Sequence, residues 1–142
     1  MEIKSLYDTD PEFVERVEYF IREEVTKEEG QQLEEPVRSM VILASLIGCQ
    51  GVELFRELLP SALDGGLTPV MIKEILYQST DYVGLGRMLG FLTVVNEVLK
   101  SRGISLPLEA QATTTLEDRL EKGSQAQVDI FGEGMRDFWK KG

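Results

Sequence analysis

Ala62-Leu63-Asp64-Gly65-Gly66-Leu67-Thr68-Pro69, continued by Ile72-Lys73-Glu74-Ile75-Leu76 and Tyr82-Val83-Gly84, reads as a helix end, a turn, a capped helix and a second stop. Gly65-Gly66 offers the left-handed conformation that commonly ends a helix. Thr68 suits an N-cap, and Pro69 suits the first helical position, where no N–H is needed. Ile72, Ile75, Leu76, Ser79 and Val83 recur at helical spacing and form an inward stripe. Gly84 and Gly86 are expected to break the helix.

The same grammar extends in both directions. Asp10-Pro11 repeats the cap-and-proline start, and Phe13, Val14, Val17, Phe20, Ile21 and Val25 share one helical face until Thr26–Gly30. Pro36 opens another helix. Only Ser45 is polar between Met40 and Ile47, so this helix is expected to be covered on more than one side before Gly48 interrupts or ends it. Val52, Leu54, Phe55, Leu58, Leu59, Ala62 and Leu63 mark a further helix. Met88 to Leu99 is broadly apolar with Glu97 as its only charge, Lys100 and Arg102 suit the dipole at its end, and Gly103 closes it. Residues 103–114 read as an extended linker around Pro107. Thr115 then caps a polar helix to Phe131, and Phe138 and Trp139 follow. No segment alternates as a strand does. The fold class is therefore expected to be all-α, with about six or seven helices. Residues 1–102 read as the helical domain and 103–142 as a linker and helical tail. That tail either packs back or reaches across to a neighbouring subunit.

Composition narrows the function classes. A chain of 142 residues can bury one real core. A net charge of −10 disfavours nucleic acid and anionic membrane, which both need a basic footprint. No apolar run approaches the ~18 residues that span a bilayer, and the first residues do not form a signal segment. The chain is expected to be cytoplasmic. Histidine is absent and Cys49 is the single cysteine, so an internal disulfide and a zinc-type Cys/His cluster are excluded. No metal or cofactor is expected.

Arg38-Ser39-Met40, Leu43-Ala44, Leu46-Ile47-Gly48, Glu53-Leu54, the 62–68 turn, Ile72-Lys73-Glu74-Ile75-Leu76 and Tyr82-Val83-Gly84 together resemble the carboxymuconolactone decarboxylase family. This superfamily includes the alkylhydroperoxidase D-like proteins, and the match covers about residues 35 to 102. The resemblance implies an alkylhydroperoxidase D-like helical bundle and a homo-oligomer, often a trimer or hexamer. The stretch from Arg119 to Gly132 resembles the opening of a second family domain, as in tandem-domain relatives.

The peroxidase branch implied by the resemblance uses a CxxC pair followed by a histidine. Cys49-Gln50-Gly51-Val52 supplies one thiol only, with Arg56 where the histidine would stand. Shifting the register by two gives Gly51, Leu54 and Leu58 instead. The carboxylate expected near Arg38-Ser39 is missing, although Glu34 and Glu35 precede it, and the decarboxylase branch commonly carries a histidine where Leu58 stands. Cys49 reads either as a buried small hydrophobe or as a reactive thiol. Glu74, Gln78 and Asp81 share a polar helix face flanked by Met71 and Tyr82; this is either a solvated surface or the lining of a site between subunits. The candidate catalytic residues are Glu74, Cys49 and Tyr82. The candidate ligand-binding residues are Arg38, Gln78, Asp81 and Arg87, the two arginines as anchors for an anion.

The resulting expectation is a family member acting as a small-molecule enzyme or ligand-binding protein with an inter-subunit site. Its partners would be copies of itself and a small-molecule ligand. The alternatives are a thiol peroxidase using Cys49 and a non-catalytic accessory subunit paired with a complementary domain.

Overall fold

The computed structural model describes residues 3–30 and 32–141. Among them the chain forms seven α-helices and no strand: α1 Pro11–Tyr19, α2 Glu35–Gly48, α3 Val52–Asp64, α4 Pro69–Val83, α5 Leu85–Ser101, α6 Arg119–Phe131 and α7 Gly134–Lys141. The all-α reading therefore holds. The chain divides into two compact units, Met1–Leu108 and Glu109–Gly142.

In the first unit α2, α3, α5 and α4 form a closed ring, each helix packing on two neighbours. Arg56 on α3 pairs with Glu97 on α5 at 2.6 Å, and Asp64 pairs with Arg102 just past α5 at 2.7 Å. The two pairs advance together along both helices, so α3 and α5 run parallel. The Pro36 ring at the start of α2 lies beside Gly66, just before α4, while Gly48 at the end of α2 lies beside Tyr82 and Val83 at the end of α4. Those two helices are parallel as well. The core between them is Leu43, Ile47, Phe55, Leu59, Ile72, Leu76, Phe91, Val95 and Leu99, with Phe55 and Phe91 edge-to-face at 5.1 Å.

Three of these helices stop in the same way. At the end of α3 the Leu67 N–H bonds Ala62 O and the Gly66 N–H bonds Leu63 O; at the end of α5 Ile104 bonds Leu99 and Gly103 bonds Lys100. Gly66 and Gly103 take the positive φ that this paired bonding needs, as the glycines predicted. The end of α2 repeats the motif without a glycine. Gly51 N–H bonds Leu46 O and Gln50 N–H bonds Ile47 O, with Gln50 itself at φ 62. Its side-chain amide also donates to Ile47 O at 2.7 Å, a local bond that offsets part of the left-handed cost.

Thr68 caps α4 as read, its hydroxyl accepting from the Met71 N–H at 3.1 Å. Asp10 flanks α1 but bonds Thr9 instead of a backbone N–H. Gly84, at φ 83, ends α4; Gly86 does not break a helix but lies in the first turn of α5, because one left-handed residue already turns the chain. The expected stripe on α1 is also corrected. Val14 is buried, yet Phe13 is 58% exposed and Phe20 53%. One cause lies at its end, where the helix widens into a π-helical turn, Phe20–Val25, closed by Thr26 N–H to Ile21 O at 3.0 Å. A wider turn moves later residues off the original face.

α2 is covered by this chain on one side only. Leu43, Leu46 and Ile47 are buried, but Val37, Val41 and Ala44 form an outward stripe that the single chain leaves bare. In the second unit Val128 is buried and Arg136 bonds Gln125 across α6 and α7 at 2.8 Å. Thr115 and Asp118 exchange side-chain bonds with each other's N–H groups, a capping box one turn before α6. Leu120, Ile130, Phe131 and Phe138 remain exposed. No helix among the described residues is long and apolar enough to cross a membrane.

Candidate functional site

Two depressions flank α2. The first is a cleft of about 120 Å³ between α2 and α3, roofed by Ile21 and Thr26 from the π-helical turn. Leu43, Leu58 and Ala62 make its apolar floor, and Ser39 and Ser61 add hydroxyls. Arg38 and Glu35 sit among its lining residues, on the first turn of α2.

The segment before α1 is fastened to both α3 and α1. Ser5 donates through both its N–H and its hydroxyl to the Glu57 carboxylate of α3, at 2.9 and 2.7 Å. These bonds hold the Glu57 carboxyl below the usual glutamate range, the Ser5 hydroxyl contributing most. Glu18 on α1 accepts from the Tyr7 hydroxyl at 2.7 Å and from the Ile3 N–H at 3.2 Å, which lowers its carboxyl likewise.

Arg38 is only loosely engaged. Its side chain is 29% exposed, and its guanidinium reaches Leu33 O at 3.2 Å and Glu35 at 3.5 Å. Arg102 shows what a satisfied arginine looks like in this protein. It holds Asp64 through a fork of 2.7 and 3.1 Å and adds Pro60 O at 3.1 Å. Among the described residues Arg38 keeps most of its donors free of close partners, beside an apolar hollow.

The second depression is an open groove of about 410 Å³ between the C-terminal halves of α2 and α4. Ala44, Ile47 and Gly48 face Ile75, Gln78, Ser79, Tyr82 and Val83 across it, with no charged side chain in the lining. Tyr82 is 90% exposed. Gln78 and Tyr82 thus share one groove while Arg38 belongs to the cleft on the opposite flank. Glu74 is half-buried one turn before Gln78, and Asp81 and Arg87 are exposed. Neither Glu74 nor Cys49 lines the cleft or the groove.

Cys49 is exposed rather than buried, because α2 ends at Gly48 and the chain turns outward there. Its Sγ lies 3.6 Å from Leu46 O. Arg56, the cation that would favour its thiolate, is committed to Glu97. Among the described residues no cluster of Cys, Asp and Glu has the form of a metal site.

Lys73 is a buried cation that the sequence pattern does not single out. It is 8% exposed, and its ammonium donates to Asn96 Oδ1 across the α4–α5 seam. Burial lowers its pKa, since the neutral amine tolerates the apolar surroundings better. On the wheel of α4 Lys73 lies about 60° beyond Leu76, at the margin of the inward stripe, so only the packing of α5 beside it accounts for its burial.

Comparison with known families, with curated proteins and with solved structures finds no match to this chain.

Proposed function

We propose that this protein is a small-molecule enzyme or ligand-binding protein of the carboxymuconolactone decarboxylase kind, acting as a homo-oligomer and using the Arg38 cleft as its ligand site. The observation that carries the reading is the cleft itself, an apolar hollow with an unsaturated arginine at its side. Its lining supports the resemblance in one further respect. Arg38-Ser39 and Leu58, from different helices, meet there, and these are the positions where family members carry a carboxylate and a histidine. Self-association is supported by the uncharged outward stripe of α2, by Tyr82, and by Leu85 and Leu89 on α5, all exposed.

The test combines turnover with assembly. The purified chain is assayed against lactone acids and organic hydroperoxides, beside a Leu58→Phe variant that fills the cleft. Turnover or binding that disappears on filling supports the reading; turnover that persists removes the cleft from it. Sedimentation showing a lone compact monomer at micromolar concentration would remove the homo-oligomer.

A second reading rests on the exposure of Cys49, which leaves the thiol open to a peroxide and an external reductant. Peroxide reduction unchanged in Cys49→Ser would end it.

A further inference from the structure

We infer that the α2–α3 cleft takes a short-chain monocarboxylate, its apolar body in the hollow and its carboxylate on Arg38. The inference rests on the cleft being the ligand site and adds the chemical class of the ligand. Size sets the body. A dry protein cavity of about 150 Å³ accommodates benzene, so a hollow of about 120 Å³ takes a body of roughly four to six carbon atoms. The floor of Leu43, Leu58 and Ala62 offers such a body contact but no hydrogen bond.

Charge sets the head group. Among the described residues Arg38 is the single cation in the lining, and its contacts at 3.2 and 3.5 Å are long beside the 2.7 Å fork of Arg102. A planar carboxylate can take the geometry that Asp64 takes on Arg102. Among the described residues Glu35 is the one anion in the lining, but its side chain is 63% exposed and its 3.5 Å contact is weak, so it yields to water when a ligand arrives. A dianion such as phosphate would face one cation next to Glu35 and leave the apolar floor empty. An amine would meet Arg38 as a like charge.

The experiment titrates the full chain with sodium pentanoate, pentanamide and sodium acetate, followed by amide chemical shifts of the native protein. Pentanoate is expected to bind at least tenfold tighter than either of the others, with shifts confined to the cleft around Ile42, Leu43 and Ala62. Arg38→Gln, checked by circular dichroism for intact helix, should bring pentanoate down to the level of pentanamide. Equal binding of pentanoate and pentanamide to the native chain would overturn the carboxylate class and leave the cleft as an apolar ligand site. Pentanoate shifts centred on Gln78 and Tyr82 would overturn the assignment to this cleft. Absence of binding by all three would overturn the ligand class together with the cleft reading beneath it.

Discussion

Along one flank of α2, Arg38, Ser39, Ile42 and Leu43 face α3 beneath the N-terminal segment; along the other, Ala44, Ile47 and Gly48 face α4 and open outward. Both flanks are apolar, and they belong to one helix of 14 residues. The difference lies in what covers them. The first flank is covered by Ile21 and Thr26, which turn an apolar strip into a cleft, and the N-terminal segment bonded to α1 through Glu18 is fastened to α3 by Ser5 and Glu57. The second has Tyr82 standing at its rim, 90% exposed. An apolar strip that the chain covers itself becomes core or cleft. One that it leaves bare is suited to another surface.

The sharpest way to break this contrast is to remove equivalent side chains from the two sides. Leu43 is 1% exposed and lines the cleft; Val41, on the outward stripe, is 51% exposed. Leu43→Ala should lower stability by about 2 to 5 kcal/mol, through lost burial and the cavity left behind. Val41→Ala should change the isolated chain by about 0.5 kcal/mol or less. Chemical denaturation of both variants checks this. Equal losses would mean that the outward stripe is covered as well.

Much of this arrangement was legible in the sequence. Thr68, Gly66 and Gly103 announced their caps because each acts through local chemistry, a side-chain oxygen or a left-handed backbone, whereas Thr115 forms its capping box a turn early and α6 begins only at Arg119. Periodicity likewise put Ile72 and Leu76 on the inner face of α4. What stayed hidden depends on distant neighbours. Periodicity shows that Val37, Val41 and Ala44 share a face but not whether anything lies over it. The π-helical turn after Tyr19 and the left-handed Gln50 carry no residue signature. The cleft joins Arg38, Leu58 and Ile21, which come from separate segments, so only the packing reveals them as one site. The burial of Lys73 is hidden for the same reason: lysine is almost never fully buried, and its place on the wheel lies at the margin of the inward stripe.

The covered flank can be loosened without touching the bundle. Glu57 is held below its usual value of 4.5 by the Ser5 bonds, so its contribution to stability is complete above pH 4.5 and is lost as pH falls through the lower folded value. Glu18 follows the same sign. As the pH drops below 4.5, pepsin is expected to cut near the exposed Phe13 and Phe20 before helicity disappears. Glu57→Gln, at about 1 to 2 kcal/mol for the weakened charge-assisted bonds, should release the same segment at pH 7. Simultaneous loss of the clasp and the bundle in acid would show that the roof is not a separate cooperative unit.

At the end of the helix that both flanks share, Gln50 holds a conformation that glycine adopts at no steric cost. Gln50→Gly should stabilise the chain by about 0.5 to 1 kcal/mol, reduced by loss of the side-chain bond to Ile47 O. Thermal denaturation reads the sign. A destabilised variant would mean that the amide bond outweighs the backbone cost.

The bare flank gives the smallest effect on the fold and the clearest one on assembly. Tyr82 points into solvent and its side chain has no hydrogen bond among the described residues, so Tyr82→Ser should leave the stability of an isolated chain within about 0.5 kcal/mol. The groove beside it is uncharged, in a protein whose net charge of −10 makes most other surfaces repel a second copy. If copies meet here, the knob of Tyr82 and the shallow floor of Ala44 and Gly48 can serve both partners across a twofold axis. Tyr82→Ser should then shift sedimentation toward the monomer while the melting of dilute protein stays unchanged. A native chain whose sedimentation and melting are both independent of concentration would leave the groove facing water, and the two flanks of α2 would differ only in their roof.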